Sequence, residues 1–157
     1  MKKVVILVDV QNVYYTTRQT FRRNFDYNRF WAQVTTNNTV VKAFAYAIER
    51  GDSKQREFQN ILRAIGFEVK LKPFIQRSDG SAKGDWDVGI TIDALEYAPQ
   101  ADEVILVSGD GDFALLADNI RHSKGKTVTV YGVEQLTANS LIKAANEFIA
   151  IDQSLLL

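Results

Sequence analysis

Two rhythms of hydrophobic and polar positions run through the chain. Residues 4–8 and 104–107 are apolar without interruption, which marks strands covered on both faces. Residues 67–72 alternate strictly, with Lys70 and Lys72 on the polar side, and predict an edge strand bent or ended by Pro73. Residues 39–48 alternate enough to predict a strand with one less buried face, and 127–131 and the short 148–151 complete the strand set. Between them the period lengthens. Asp26 caps a helix over 27–34 with Phe30, Trp31 and Val34 on one side. Ser53 opens a helix to about residue 64 with Phe58, Ile61, Leu62 and Ile65 as its inner stripe, and Gly66 stops it. Further helical patterns cover 86–97, 113–121 and 137–145, and a helical turn begins near Asn12. Residues 76–84, centred on Ser78-Asp79-Gly80-Ser81, predict the one clear flexible loop.

Strands alternating with helices predict an α/β fold with a central parallel sheet, right-handed crossovers and helices on both faces. The edge character of the third strand and the buried character of the first and fourth predict the order 3-2-1-4-5. Strands one and four then meet where the winding reverses, and ligands bind at the carboxyl edge of such a switch point. Asp9 ends strand one, and the turn Ser108-Gly109-Asp110-Gly111-Asp112-Phe113 follows strand four. Asp9 and Asp110 are thereby expected about 4.8 Å apart at backbone level, near enough to share a cation.

Composition narrows the chemistry. The 157 residues suit a single domain spanning 1–157. No segment is apolar for long enough to cross a bilayer, and the apolar start of the chain is cut short by Asp9 with no cleavage site after it, so the expectation is a soluble cytoplasmic protein without membrane partners. There is no cysteine and one histidine, His122, which leaves carboxylates, amides, hydroxyls and lysines as the reacting groups. The formal net charge is zero, which argues against coating nucleic acid by bulk charge but permits a local basic groove. Neither a dinucleotide-binding glycine fingerprint nor a phosphate-loop lysine motif occurs.

Asp87, in the first turn of the helix before strand four, is the third acidic position able to reach the sheet edge. Asp93 lies about 240° further round that helix and cannot share its face well; Asp85 is read as a cap. Unit charges about 4 Å apart repel by roughly 4 kcal/mol at an effective dielectric near 20. Clustered aspartates therefore call for a counter-ion, and an all-oxygen donor set favours Mg²⁺ or Mn²⁺. The competing reading of each acid is a cap or turn residue. Asn12 can hydrogen-bond Asp9 or a substrate phosphate, or act as a cap. Ser108 can donate to a phosphate, to the acidic cluster or to its own backbone. Lys83 is a candidate phosphate contact or a solvated lysine. Trp86 can stack on a base or pack in the core. Arg18, Arg22 and Arg23 near Tyr14, Tyr15 and Phe25 could follow a nucleic-acid backbone or form a solvated face.

Three segments in order, Val8-Asp9-Val10-Gln11-Asn12, Lys83-Gly84-Asp85-Trp86-Asp87-Val88 continuing to Asp93-Ala94-Leu95, and Val107-Ser108-Gly109-Asp110-Gly111-Asp112-Phe113, resemble the NYN domain, in particular its LabA-like branch. Residues 140–149 are similar to the closing segment of that family. The resemblance implies a three-layer, Rossmann-like (PIN-like) fold and a Mg²⁺- or Mn²⁺-dependent ribonuclease-type site. By position, Asp9 matches the first acidic residue, Asp87 the helix-start one, and Asp110 and Asp112 the pair after strand four. The family's Lys-Gly-x-Asp spacing is stretched to Lys83-Gly84-Asp85-Trp86-Asp87, so Asp85 and Asp87 compete for one role.

The expected function is hydrolysis of RNA, with the four aspartates as catalytic and metal-binding residues and Asn12, Lys83, Ser108 and Trp86 as substrate contacts. Single-stranded RNA is the expected partner, and a second copy of the chain, as a homodimer, a further one. The alternatives are a non-catalytic RNA-binding or regulatory module, and a small-molecule phosphohydrolase using the same metal.

Overall fold

In the computed structural model, which describes residues 1–73, 75–76, 82–83 and 85–157, the strand pattern becomes a six-stranded, all-parallel sheet. Its strands are β1 (Lys2–Asp9), β2 (Asn38–Glu49), β3 (Glu68–Pro73), β6 (Glu103–Val107), β7 (Thr127–Gly132) and β8 (Glu147–Ala150), in the order β3-β2-β1-β6-β7-β8. This is the predicted order with the short last strand added at the edge. Two short strands, β4 (Ile75–Gln76) and β5 (Ala82–Lys83), pair antiparallel outside it. Gln76 of β4 and both residues of β5 fall within the predicted loop, whose residues 77–81 and 84 lie outside the described residues.

Alternation along β1 divides the core in two. Val4, Ile6 and Val8 pack towards α1 (Val10–Phe21), α2 (Tyr27–Thr35) and α3 (Ser53–Ile65), through Val13, Phe30 and Leu62. Val5 and Leu7 pack towards α4 (Asp87–Tyr97), α5 (Ala114–His122) and α6 (Asn139–Ala144), through Ile90, Phe113, Ile120 and Leu141. Each strand of this kind buries side chains on both faces, as a parallel sheet under two helical layers requires.

Local chemistry sets the helix ends. The Asp26 carboxylate accepts from Arg29 N at 3.1 Å and the Asp52 carboxylate from Gln55 N at 2.8 Å, which satisfies orphan donors at the starts of α2 and α3. Gly66 closes α3 at φ 141°, and a Cβ there would lie 2.5 Å from the Trp31 ring.

Two burial expectations are corrected. Residues Ala43 to Ile48 of β2 are buried on both faces rather than one, because alanines at 43, 45 and 47 face one helical layer while Phe44 and Tyr46 face the other. On α3 the inner stripe excludes Ile61, which is 53% exposed, and takes in Gln59. The last helix starts at Asn139 rather than Thr137, whose hydroxyl donates to Val133 O at 2.7 Å.

A candidate metal centre at the carboxyl edge of the sheet

Strands β1 and β6 are neighbours in register, Val8 opposite Val107, so the chain segments that leave them enter the same space. Asp9 ends β1 and caps α1, with Oδ1 accepting from Asn12 N at 3.4 Å. Its Oδ2 accepts from Ser108 Oγ at 3.1 Å, and Ser108 Oγ accepts in turn from Asp110 N at 3.2 Å. Asn12 Oδ1 accepts from Gly109 N at 2.9 Å. The loop after β1 and the turn after β6 are thus tied across nearly a hundred residues of sequence.

The turn has no slack. Asp110 Oδ1 accepts from Asp112 N at 2.9 Å, and Gly109 O accepts from Ala138 N at 3.1 Å. A Cβ on Gly109 would sit 2.8 Å from Leu136 O, so only glycine fits where the turn passes the segment before α6.

Asp87 opens α4 and faces the turn. One carboxylate oxygen each from Asp87, Asp110 and Asp112 lies within 4.8 Å of the others. That is the spread of ligands around one cation bound at roughly 2.0–2.6 Å by each. The donor set is all oxygen, as a hard divalent ion prefers, and it fits such an ion. Asp9 stands outside this close trio but lines the same cleft of about 220 Å³ with Gln11, Asn12, Tyr15, Asp85, Asp87 and Asp110.

Burial and mutual repulsion show in the acidities. Burial is the main cause that pushes the Asp87 carboxyl up to about 7, followed by the charge and shared hydrogen bond of Asp110 and the charges of Asp85 and Asp9. Burial also pushes Asp9 up to about 6, against the lowering effect of its bonds from Asn12 and Ser108 and with smaller contributions from Asp110 and Asp85. Two acids poised this high at one sheet edge mark a place where negative charge is held at a cost, a signature of functional sites.

The remaining residues singled out from sequence fall in several places. Ser108 is buried and fully engaged with Asp9 and Asp110, so it positions carboxylates rather than meeting a substrate. Asn12 spends its carbonyl on Gly109, and its Nδ2 is without a partner among the described residues. Trp86 packs inward rather than presenting a free face: its indole N–H donates to Ala47 O at 2.9 Å, its ring lies 5.4 Å from that of Tyr46 at a tilt of 55°, and Lys72 Nζ lies 4.7 Å over it. The Lys83 side chain lies outside the described residues. Arg23 is drawn away from any nucleic-acid face, donating to the carbonyls of Leu156 and Leu157. Asp93 is used elsewhere, its Oδ2 accepting from both Tyr46 Oη and Lys70 Nζ at 2.8 Å.

Sequence reasoning underrated Asp85. It does accept from Asp87 N at 3.2 Å, as a cap would, yet it also lines the cleft. Gln11 and Tyr15 went unassigned, and their offsets of two and six from Asp9, in the first two turns of α1, were the available signal.

Comparison with known proteins agrees with this geometry. The chain is 28% identical over 158 residues to the low amplitude and bright protein LabA of Synechococcus elongatus, covering 96% of this chain and 84% of that one. A crystal structure of a protein of unknown function from Vibrio parahaemolyticus superimposes with a TM-score of 0.95 at 62% identity, covering 99% of this chain and 96% of the other. The family model of the NYN domain matches residues 3–152. With the family model matched over nearly its full length, this chain belongs to the NYN domain family, in its LabA-like form.

Proposed function

We propose that the protein is a divalent-metal-dependent ribonuclease that hydrolyses phosphodiester bonds of single-stranded RNA. The observation that carries the reading is the convergence of Asp87, Asp110 and Asp112 beside the buried Asp9. Membership of the NYN family, which lies within the PIN-like nucleases, supports it.

Asp87, Asp110 and Asp112 would hold the ion. A divalent cation there, Mg²⁺ or Mn²⁺, supplies Lewis acidity towards a phosphate oxygen and favours deprotonation of water. The chain's own groups do the positioning. Ser108 and the Asp112 amide fix both ends of the Asp110 carboxylate segment, so the ligands do not have to be ordered when substrate arrives. Asn12, with its carbonyl committed to Gly109, has only Nδ2 to offer, a donor suited to a non-bridging phosphate oxygen. Asp9, buried in the lining of the cleft, adds negative charge that favours cation capture and disfavours phosphate until the cation is present.

The test is incubation of purified protein with labelled single-stranded RNA and Mn²⁺ or Mg²⁺. Cleavage that stops with chelator and falls at least about a hundredfold in Asp110→Asn is the expected result. RNA binding that survives chelation, with no cleavage under any metal, would establish the non-catalytic module instead.

A further inference from the structure

Beside the acidic cleft, and sharing Gln11 and Tyr15 with it, runs a groove of about 900 Å³ between α1, α3 and the end of β2. Its volume is at the upper end of what small-ligand sites use, and it is large enough for a nucleotide. Two polar side chains in its lining are unusual. Gln59 is 97% buried, since 3% of its surface is exposed, and Tyr27 is 92% buried, since 8% is. Among the described residues neither the Gln59 amide nor the Tyr27 hydroxyl has a hydrogen-bond partner, and neither is a fully buried orphan, so the polar ends of both otherwise buried side chains open into the groove. Burial pushes the Tyr27 phenol far up, so it stays a neutral donor.

Polar groups that open into a groove without a protein partner bond to water there, or to whatever displaces the water. An amide offers a donor and an acceptor side by side, which is the complement of a nucleobase edge. The rim adds the other two requirements for a nucleotide. Tyr14 and Tyr15 are exposed aromatic faces, and Lys54 brings positive charge to the same opening. Asp52, the acid in the lining, is committed to capping α3 through Gln55 N.

We propose that this groove seats the base of a nucleotide adjoining the scissile phosphate of single-stranded RNA, with Gln59 and Tyr27 hydrogen-bonding the base edge and Tyr15 stacking where the groove meets the cleft. The proposal rests on the ribonuclease reading of that cleft for its polarity of substrate. It makes the enzyme base-selective. The Arg18 side of α1 takes no part, and neither does Trp86.

The test reads binding rather than turnover, so it is separate from catalysis. Fluorescence anisotropy of 12-nucleotide rA, rU and rC homopolymers, in buffer with chelator, gives affinity ratios in which any uniform repulsion by the empty acidic cleft cancels. The expected result is a preference of about tenfold or more for one homopolymer in the wild type. Gln59→Met, which keeps the volume, should shrink that preference to less than about threefold. Tyr15→Ala, at an exposed position, should weaken all three by about tenfold. Should Gln59→Met fail to fold, Tyr27→Phe reads the same preference. Photo-crosslinking of 4-thiouridine RNA should also label peptides carrying Tyr14, Tyr15 or Phe58. Equal affinity for all three homopolymers, absence of RNA binding, or crosslinks only on α4 and α5 would overturn the proposal. Binding with base preference but no cleavage under Mn²⁺ would keep the groove and defeat the nuclease. Cleavage without base preference would do the reverse.

Discussion

Replacing Asp9 by asparagine should make the metal-free protein more stable at neutral pH. Asp9 is 92% buried, as its 8% exposure shows, and its carboxyl is pushed up to about 6 from an unfolded value of 3.8. The folded state therefore keeps this proton up to about pH 6, whereas the unfolded chain releases it near 3.8. Stability falls as pH rises through that window, the reverse of the usual salt-bridged aspartate. At about 1.36 kcal/mol per unit, ionised Asp9 costs roughly 3 kcal/mol above pH 7 and well under 1 kcal/mol at pH 4. Asparagine keeps the cap to Asn12 N, and Ser108 Oγ can turn from donor to acceptor, so the charge is the main loss. Asp9→Asn should raise the stability by about 2–3 kcal/mol at pH 7.5, or about 4–12 °C in Tm for a chain of this size. The gain should fade towards pH 4. Urea unfolding with chelator at both pH values measures it, and a gain equal at both, or a loss at pH 7.5, refutes the account of a buried charge held at a cost.

Saturating Mn²⁺ should raise the thermal midpoint of the wild type, by the equivalent of about 3 kcal/mol at a hundred times Kd, and leave that of Asp110→Asn nearly unmoved; scanning calorimetry separates the two. Tyr46→Phe strips one of two donors from the buried Asp93 carboxylate and should cost about 1–3 kcal/mol in urea unfolding while leaving the metal titration unchanged. Gly109→Ala forces a Cβ to 2.8 Å from Leu136 O and should cost about 1–3 kcal/mol, with a metal-induced rise in midpoint smaller than the wild type's.

The strand order was legible because its cues are local and strong. Uninterrupted apolar runs ending in Asp9 and in the Ser108–Asp112 turn define central strands, and strict alternation in 67–72 defines an edge. Burial on single faces was less legible. Ile61 outranks Gln59 on any hydrophobic scale, yet the rotation of α3 is set by packing against Trp31 and Tyr27 neighbours, and it puts the amide inside. Trp86 was ambiguous for the same reason: an indole at a helix start turns inward when a carbonyl such as Ala47 O is in reach, a fact of tertiary placement. Asn12 and Ser108 were recognised as partners of the acids, but which atom meets which depends on the two loops' relative height, fixed by the β1–β6 register. The large groove was invisible because its lining comes from α1, residues 24–27, the end of β2, α3 and Leu157, none of which carries a signature alone.

The ties from Asp9 to Ser108 and from Asn12 to Gly109 span 99 and 97 positions. During synthesis Asp9 can cap its own helix through Asn12 N early, but its second carboxylate oxygen must wait for Ser108 to emerge before it acquires its donor from across the sheet. Contacts this distant in sequence close late and cost the most loop entropy. Any nuclease competence is born with the completed sheet, and a shortened translation product ending before β6 would carry the first half of the pocket with nothing to align it.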